Sequence, residues 1–244
     1  MDNLSKEKFK IPKIKTRMEV KNEADSQKAE LYLYGTIREA SRWEDSDSCI
    51  SANAVLKELK NLKGKDIDVH INSGGGDVFE SIAICNSLKQ HDGEIKIIVD
   101  ALAGSGASII CTAGKVVMFN NCMQMIHKAW TYTWGNADEL RKDADDLDKI
   151  DEAADNSYKK KFVGTDEELM DLIAEGSWLT AEECLALGFC DEILDSEEEE
   201  ETGSTENNVK ENLFNKYKKN IESKVVDNKT TLFNAFKNKN GGNG

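Results

Sequence analysis

The run Ile95-Lys96-Ile97-Ile98-Val99 constrains the fold more than any other part of the chain. It is short and almost continuously apolar, as expected of a strand covered on both faces, and such strands belong to parallel sheets overlaid by helices. The neighbouring segments agree. Ala29–Gly35 alternates Leu31 and Leu33 with Tyr32 and Tyr34, and Ile67, Val69 and Ile71 repeat at the same period of two. Val116–Phe119 and Met123–Ile126 read as two further short strands. Between the strands the spacing becomes helical: Val55, Leu59 and Leu62 follow a capping Ser51, and Val78, Ile82, Cys85 and Leu88 share one face. Strand–helix–strand repetition predicts an α/β fold of βαβ units with a largely parallel sheet. Further on, residues 136–162 form a long acidic helix carrying Leu140, Leu147, Ile150, Ala154 and Tyr158 roughly in register. Asp166–Ala174 is a shorter helix, and Thr180 caps another from Ala181 to Leu187, stopped by Gly188.

The ends differ from this body. Residues 1–28 are polar and basic (Lys6, Lys8, Lys10, Lys13, Lys15, Arg17) and read as an N-terminal extension. Residues 29–195 are the folded domain. Residues 196–244 begin with the glutamate run Glu197 to Glu201, a solvated linker, and continue as a Lys/Asn-rich tail with spaced apolar residues such as Leu213 and Phe214. A net charge of −14 argues against nucleic-acid binding. No stretch approaches the ~20 apolar residues of a membrane span, and no apolar run follows the basic N-terminus as a secretory signal requires. The six cysteines form no CxxC pair and several sit in apolar runs, so they read as buried, reduced thiols of a cytoplasmic protein rather than a disulfide or zinc framework. Neither a metal nor a cofactor is expected.

Three features sit where strands end, the usual place for a site in an α/β protein. The first is Ser73-Gly74-Gly75-Gly76, between a strand and a helix, where glycine allows close approach of a ligand to the main chain. Alone it is more often a tight turn, and its spacing matches neither nucleotide-binding glycine pattern. The second is Ala103-Gly104-Ser105-Gly106-Ala107, small residues that expose the Ser105 hydroxyl and set the Gly106 N–H beside a carbon under attack. It follows the logic of a nucleophile elbow without matching G-x-S-x-G. The third is Met125-Ile126-His127, a histidine ending an apolar strand. The other two histidines, His70 in a strand and His91 in a polar loop, are poorly placed to act as a base.

Taken together these residues resemble a known family. Ile71-Asn72-Ser73 with Gly75-Gly76, then Ala103, Ser105 and Ala107, then Met125-Ile126-His127, and finally Trp178-Leu179-Thr180-Ala181-Glu182-Glu183 leading to Gly188-Phe189 and Asp191, occur in this order in the Clp proteolytic subunits. The resemblance spans about Ala29 to Leu194 and implies a Clp/crotonase-type fold. Within the family the chain is most similar to the head-maturation proteases of tailed phages and prophages. These share the Leu33-Tyr34-Gly35 strand and the Trp178 segment, whereas housekeeping subunits usually carry proline where Gly74 stands.

The resemblance implies a serine endopeptidase without cofactor: Ser105 as nucleophile, His127 as general base, the N–H groups of Gly76 and Gly106 as oxyanion hole, and a strand edge at Gly74 and Gly75 for the substrate. It also implies a stacked ring of six or seven copies joined through the 136–162 helix, acting on scaffold or capsid proteins, with any ATPase belonging to a partner. At one position the chain departs from the pattern. The acidic triad member stands two residues before the tryptophan, and that slot is Gly176. Glu175 is the nearest carboxylate, Asp171 lies one helical turn earlier, and a Ser–His dyad is the remaining option. The competing readings are a housekeeping-like subunit serving an ATP-dependent unfoldase, a non-catalytic capsid-assembly protein, a crotonase-type acyl-CoA enzyme, and a Ser–Lys peptidase using Lys115 or Lys128.

Overall fold

Strand β4 (Ile95–Gly104) is the axis of the sheet, and its neighbours decide where everything else lies. In this computed structural model, which describes residues 14–23, 26–41, 43–44, 48–194 and 209–215, the sheet order is β1-β2-β3-β4-β5-β8. The strands are β1 (Arg17–Asn22), β2 (Lys28–Ile37), β3 (Asp66–Gly76), β5 (Lys115–Phe119) and β8 (Glu192–Leu194). Two more, β6 (Met123–Ile126) and β7 (Ser177–Thr180), lie off this path. All pairs from β2 to β8 along the path are parallel, while β1 pairs β2 and β7 pairs β6 antiparallel. The mixed α/β architecture with a largely parallel sheet is the one the apolar periodicity predicts.

Helices α1 (Ala52–Asn61), α2 (Val78–Lys89) and α3 (Gly106–Cys111) connect the strands as βαβ crossovers. Val55, Leu59, Ile84, Cys85 and Leu88 meet Leu31, Leu33, Ile67, Val69, Ile71, Ile97 and Val99 in one buried core. Ile95, Ile97, Ile98 and Val99 are all buried, as a doubly covered strand demands. Ser51 caps α1 by accepting from the Ala54 N–H. The turn into α2 is capped by Asp77, which accepts from the N–H groups of Phe79 and Glu80. Helices α4 (Ala137–Tyr158), α5 (Asp166–Glu175) and α6 (Ala181–Ala186) each begin with a reciprocal capping box: Asn136 with Glu139, Thr165 with Glu168, Thr180 with Glu183.

The structure draws the body wider than 29–195. Residues 17–22 are an edge strand rather than part of an extension, because Met18 and Val20 alternate toward the core while Arg17 and Lys21 lie over the Tyr32 ring. A seventh helix, α7 (residues 209–215), returns to the body and buries Leu213, with Phe214 edge-on to Phe162. The basic residues before position 14, the glutamate run and the tail beyond 215 lie outside the described residues. All six cysteines are free and buried. No helix among the described residues is long and apolar enough to cross a membrane.

Candidate active site

The site is assembled by strand register at the carboxyl ends of β3, β4 and β6. The first half of β4 pairs with β5, at Lys96 to Val99, and the second half pairs with β6, at Leu102 to Gly104. This change of neighbour sets Gly104 opposite Met125, so the residues that follow, Ser105 and His127, leave their strands side by side. The Ser105 N–H donates to the Met125 carbonyl at 2.7 Å and locks the turn to β6. On the other flank Ser73 pairs with Ala103, which brings the glycine turn alongside Gly104–Gly106.

Ser105 is the N-cap of α3, with φ 53° and ψ −123°. It is the one residue other than glycine with positive φ among the described residues. Such a conformation costs on the order of 1–3 kcal/mol and persists only where its surroundings over-determine it. Here they do. Besides the bond to Met125, the Ser105 carbonyl accepts the Ser108 N–H at 2.9 Å and the Ser108 hydroxyl at 2.6 Å. Ser108 in turn meets the Tyr158 hydroxyl of α4 at 2.8 Å, deep in the interior.

The Ser105 Oγ lies 2.8 Å from His127 Nε2. Both side chains are half-buried and line a cleft of about 550 Å³, with Gly75, Gly76, Phe79 and Ile150 among its walls. Burial lowers the imidazole below its ordinary value, and a hydrogen bond with the backbone of Lys128 and the charge of Asp151 oppose that shift. A hydroxyl at hydrogen-bond distance from an imidazole biased toward its neutral form can pass its proton to that ring when it attacks an electrophile.

The glycine turn is held against this pair. Ser73 is buried, donates its hydroxyl to the Gly35 carbonyl at 2.6 Å and accepts the Gly75 N–H at 3.0 Å. Gly75 has φ 87°, and a Cβ there would stand 2.5 Å from the Gly104 carbonyl oxygen and 2.8 Å from Ser105 Cβ, so no larger residue fits. Gly106 is the first residue of α3, where an N–H has no acceptor within the helix. A Cβ on Gly106 would fall 2.1 Å from Ser81 Oγ and 3.6 Å from the Gly76 nitrogen, so the Gly76 and Gly106 backbones lie close together next to Ser105.

At the third site position, two residues before Trp178, stands Gly176. Asp171 and Glu175 are half-buried residues of α5, and Glu175 is its last residue. It is Gly176, at φ 71°, that passes His127: a Cβ there would lie 3.7 Å from His127 Cβ. The carboxylate whose charge raises the imidazole is Asp151 of α4. Sequence reading did not single out Asp151. The only signal was its place beside the Leu147–Ile150–Ala154–Tyr158 stripe, where an aspartate looks like the edge of a solvated face. In the sequence Ser108 reads as one more small residue after Ala107, Tyr158 as part of the apolar stripe, and Asp77 as the polar residue after a glycine turn, so none of them signals a support for the site. The other two histidines lie elsewhere: His70 Nδ1 is 3.0 Å from Asp100 Oδ2, and His91 Nε2 is 2.7 Å from the Lys65 carbonyl.

Comparison with known proteins identifies a family. The family model for Clp protease matches residues 35–197. Among curated proteins the chain is 33% identical over 162 residues to the ATP-dependent Clp protease proteolytic subunit of Streptococcus suis (strain 98HAH33), covering 59% of this chain and 79% of the relative. The protein of the same name from Streptococcus pyogenes serotype M5 (strain Manfredo) is 32% identical over 164 residues, covering 60% and 80%. That of Streptococcus gordonii (strain Challis) is 33% identical over 159 residues, covering 59% and 78%. A model matching most of the chain, on a sheet whose register joins a serine, a histidine and a glycine turn, leaves one assignment: the chain belongs to the Clp protease family, whose members are serine peptidases.

Proposed function

We propose that Ser105 is the nucleophile and His127 the general base of a serine endopeptidase of the Clp proteolytic-subunit type. The observation that carries this reading is the 2.8 Å contact between Ser105 Oγ and His127 Nε2, made on a strained turn at the wall of a cleft. Ser105 Oγ attacks the peptide carbonyl as its proton moves to His127 Nε2. The same proton then goes to the departing amine, and water repeats the sequence on the acyl-enzyme. The Gly76 and Gly106 N–H groups receive the negative oxygen of the tetrahedral intermediate, where each donor contributes about 2.7–4 kcal/mol. The main chain at Gly74 and Gly75 offers an edge for an extended peptide.

A fluorophosphonate probe tests the reading. The wild type should label stoichiometrically. Ser105→Ala and His127→Ala should lose labelling and peptide hydrolysis by roughly 10⁴-fold or more. Full labelling of either variant overturns the assignment, and no labelling of the folded wild type favours a non-catalytic assembly protein.

The substrates we propose are scaffold and capsid proteins of a tailed phage or prophage, cut by a stacked ring of this chain. The support is the similarity at Leu33-Tyr34-Gly35, Gly74 and the Trp178 segment described above. Co-expression with a capsid and scaffold pair encoded alongside it should give shortened products with the wild type and none with Ser105→Ala. Degradation that requires an added Clp ATPase would instead place it with the streptococcal relatives, whose names describe an ATP-dependent protease.

A further inference from the structure

Helix α4 turns an apolar stripe (Leu147, Ile150, Ala154, Tyr158) toward the cleft. Yet apart from Tyr158 its most buried residues are two carboxylates one turn apart, Asp151 and Asp155, each 8% exposed. Like charges at i, i+4 repel, and burial adds a desolvation cost, so this arrangement opposes folding unless something compensates. For Asp155 the strain is visible: burial first, and Asp151 second, push its carboxyl upward. Asp151 is compensated. Its Oδ1 accepts the Ala129 N–H at 2.6 Å, and its Oδ2 is 3.5 Å from Lys128 Nζ. Ala129 is two residues beyond His127, a span of about 7 Å at most. The bond from α4 therefore fixes the chain segment that carries the imidazole. On the α5 side the residue passing His127 is Gly176, which has no side chain to offer.

We propose that Asp151 is the positioning carboxylate of the Ser105–His127 couple, holding the His127–Ala129 backbone through the Ala129 N–H and supplying the negative charge that steadies the imidazolium. This rests on the serine-peptidase reading above. The proton balance is unchanged by it: the Ser105 proton moves to His127 Nε2 and on to the leaving amine, and Asp151 takes no proton. Asp151 touches neither substrate nor the reacting atoms. It acts through the position and charge balance of His127, from a helix that the family slot at Gly176 does not use.

The test is the rate of fluorophosphonate labelling against pH from 4.5 to 9, on the full chain in its native assembly. Charged or titratable groups around the Asp151–Asp155 pair are His127 and Lys128 on the segment leaving β6, Glu152 and Tyr158 on α4, and Lys159 at its C-cap. Asp151→Asn keeps the shape and an acceptor for Ala129 but removes the charge. It should lower the plateau rate about tenfold and move the ascending midpoint to lower pH, because a lost negative charge favours neutral imidazole. Asp151→Glu should keep the wild-type midpoint even if its rate falls, and Glu175→Gln should leave the midpoint in place. If the amide variant does not fold, Asp151→Ser reads the same shift. A wild-type midpoint in the charge-removing variant, or a shift in Glu175→Gln instead, overturns the proposal while leaving the serine reading intact. Labelling that survives Ser105→Ala would overturn the serine reading itself.

Discussion

Ser105 holds a backbone conformation that few side chains tolerate, and the residues around it explain why it can. The Met125 carbonyl, the Ser108 hydroxyl and the close backbone of Gly75 confine the turn from three sides. Strain held this way presents the hydroxyl without the cost of ordering it during each reaction. At His127 the decisive quantity is burial, which disfavours the imidazolium and outweighs the Lys128 backbone and Asp151, the two influences that raise it. The neutral, basic form therefore persists to lower pH than for an exposed histidine. The ascending limb of kcat/KM for a fluorogenic peptide should have its midpoint below about 6.5, the ordinary imidazole value. A midpoint well above that value would mean that a charged partner, not burial, dominates the ring.

At the scale of elements, the supports of the site are caps and short helices rather than catalytic side chains. Asp77 closes the glycine turn by capping α2 at 2.8 and 2.9 Å, and its own carbonyl accepts the Ser81 hydroxyl that Gly106 packs against. Asp77→Ala should cost about 1 kcal/mol of stability. In a domain of this size that lowers Tm by roughly 2–4 °C, readable by calorimetry. A larger loss of labelling than of stability would show that the cap also holds the glycine turn in shape. The three capping boxes were legible as sequence patterns only in part: Thr180 was recognisable ahead of an apolar run, whereas Asn136 and Thr165 were not singled out. Strands β7 and β8 are not legible in the sequence: one of the two residues β7 buries is the polar Ser177, and β8 has only three residues, too few to show a period.

Over the whole molecule, the returning helix α7 extends the core beyond the residues that the Clp protease family model matches. Leu213 is 3% exposed and belongs to the same apolar cluster as Phe162 and Phe189. Leu213→Ala should cost about 2 kcal/mol or more, as core truncations of leucine do. The check is a lower urea midpoint at an unchanged m-value. No change in the midpoint would mean that α7 is detached from the body in solution. The buried cysteines fit the same picture of one close-packed interior. Cys111, for example, is driven far up by burial and sits where a thiol serves as a small apolar group.

The sequence by itself determined the class of fold, because apolar periods of two and near 3.6 are local properties that each segment carries regardless of its neighbours. It also exposed the glycine turn, Ser105 and His127, each marked by residue types that have few reasons to stand at the end of a strand. What it left open was settled by contacts between distant segments. Ser105 and His127 are 22 residues apart, and only the exchange of β5 for β6 along β4 makes them neighbours. Ala129 and Asp151 are likewise 22 residues apart and meet because α4 packs against α2 and α3, beside the segment that leaves β6. No periodic signal encodes such a meeting, so the contact between Asp151 and the segment after His127 is legible only in the tertiary structure.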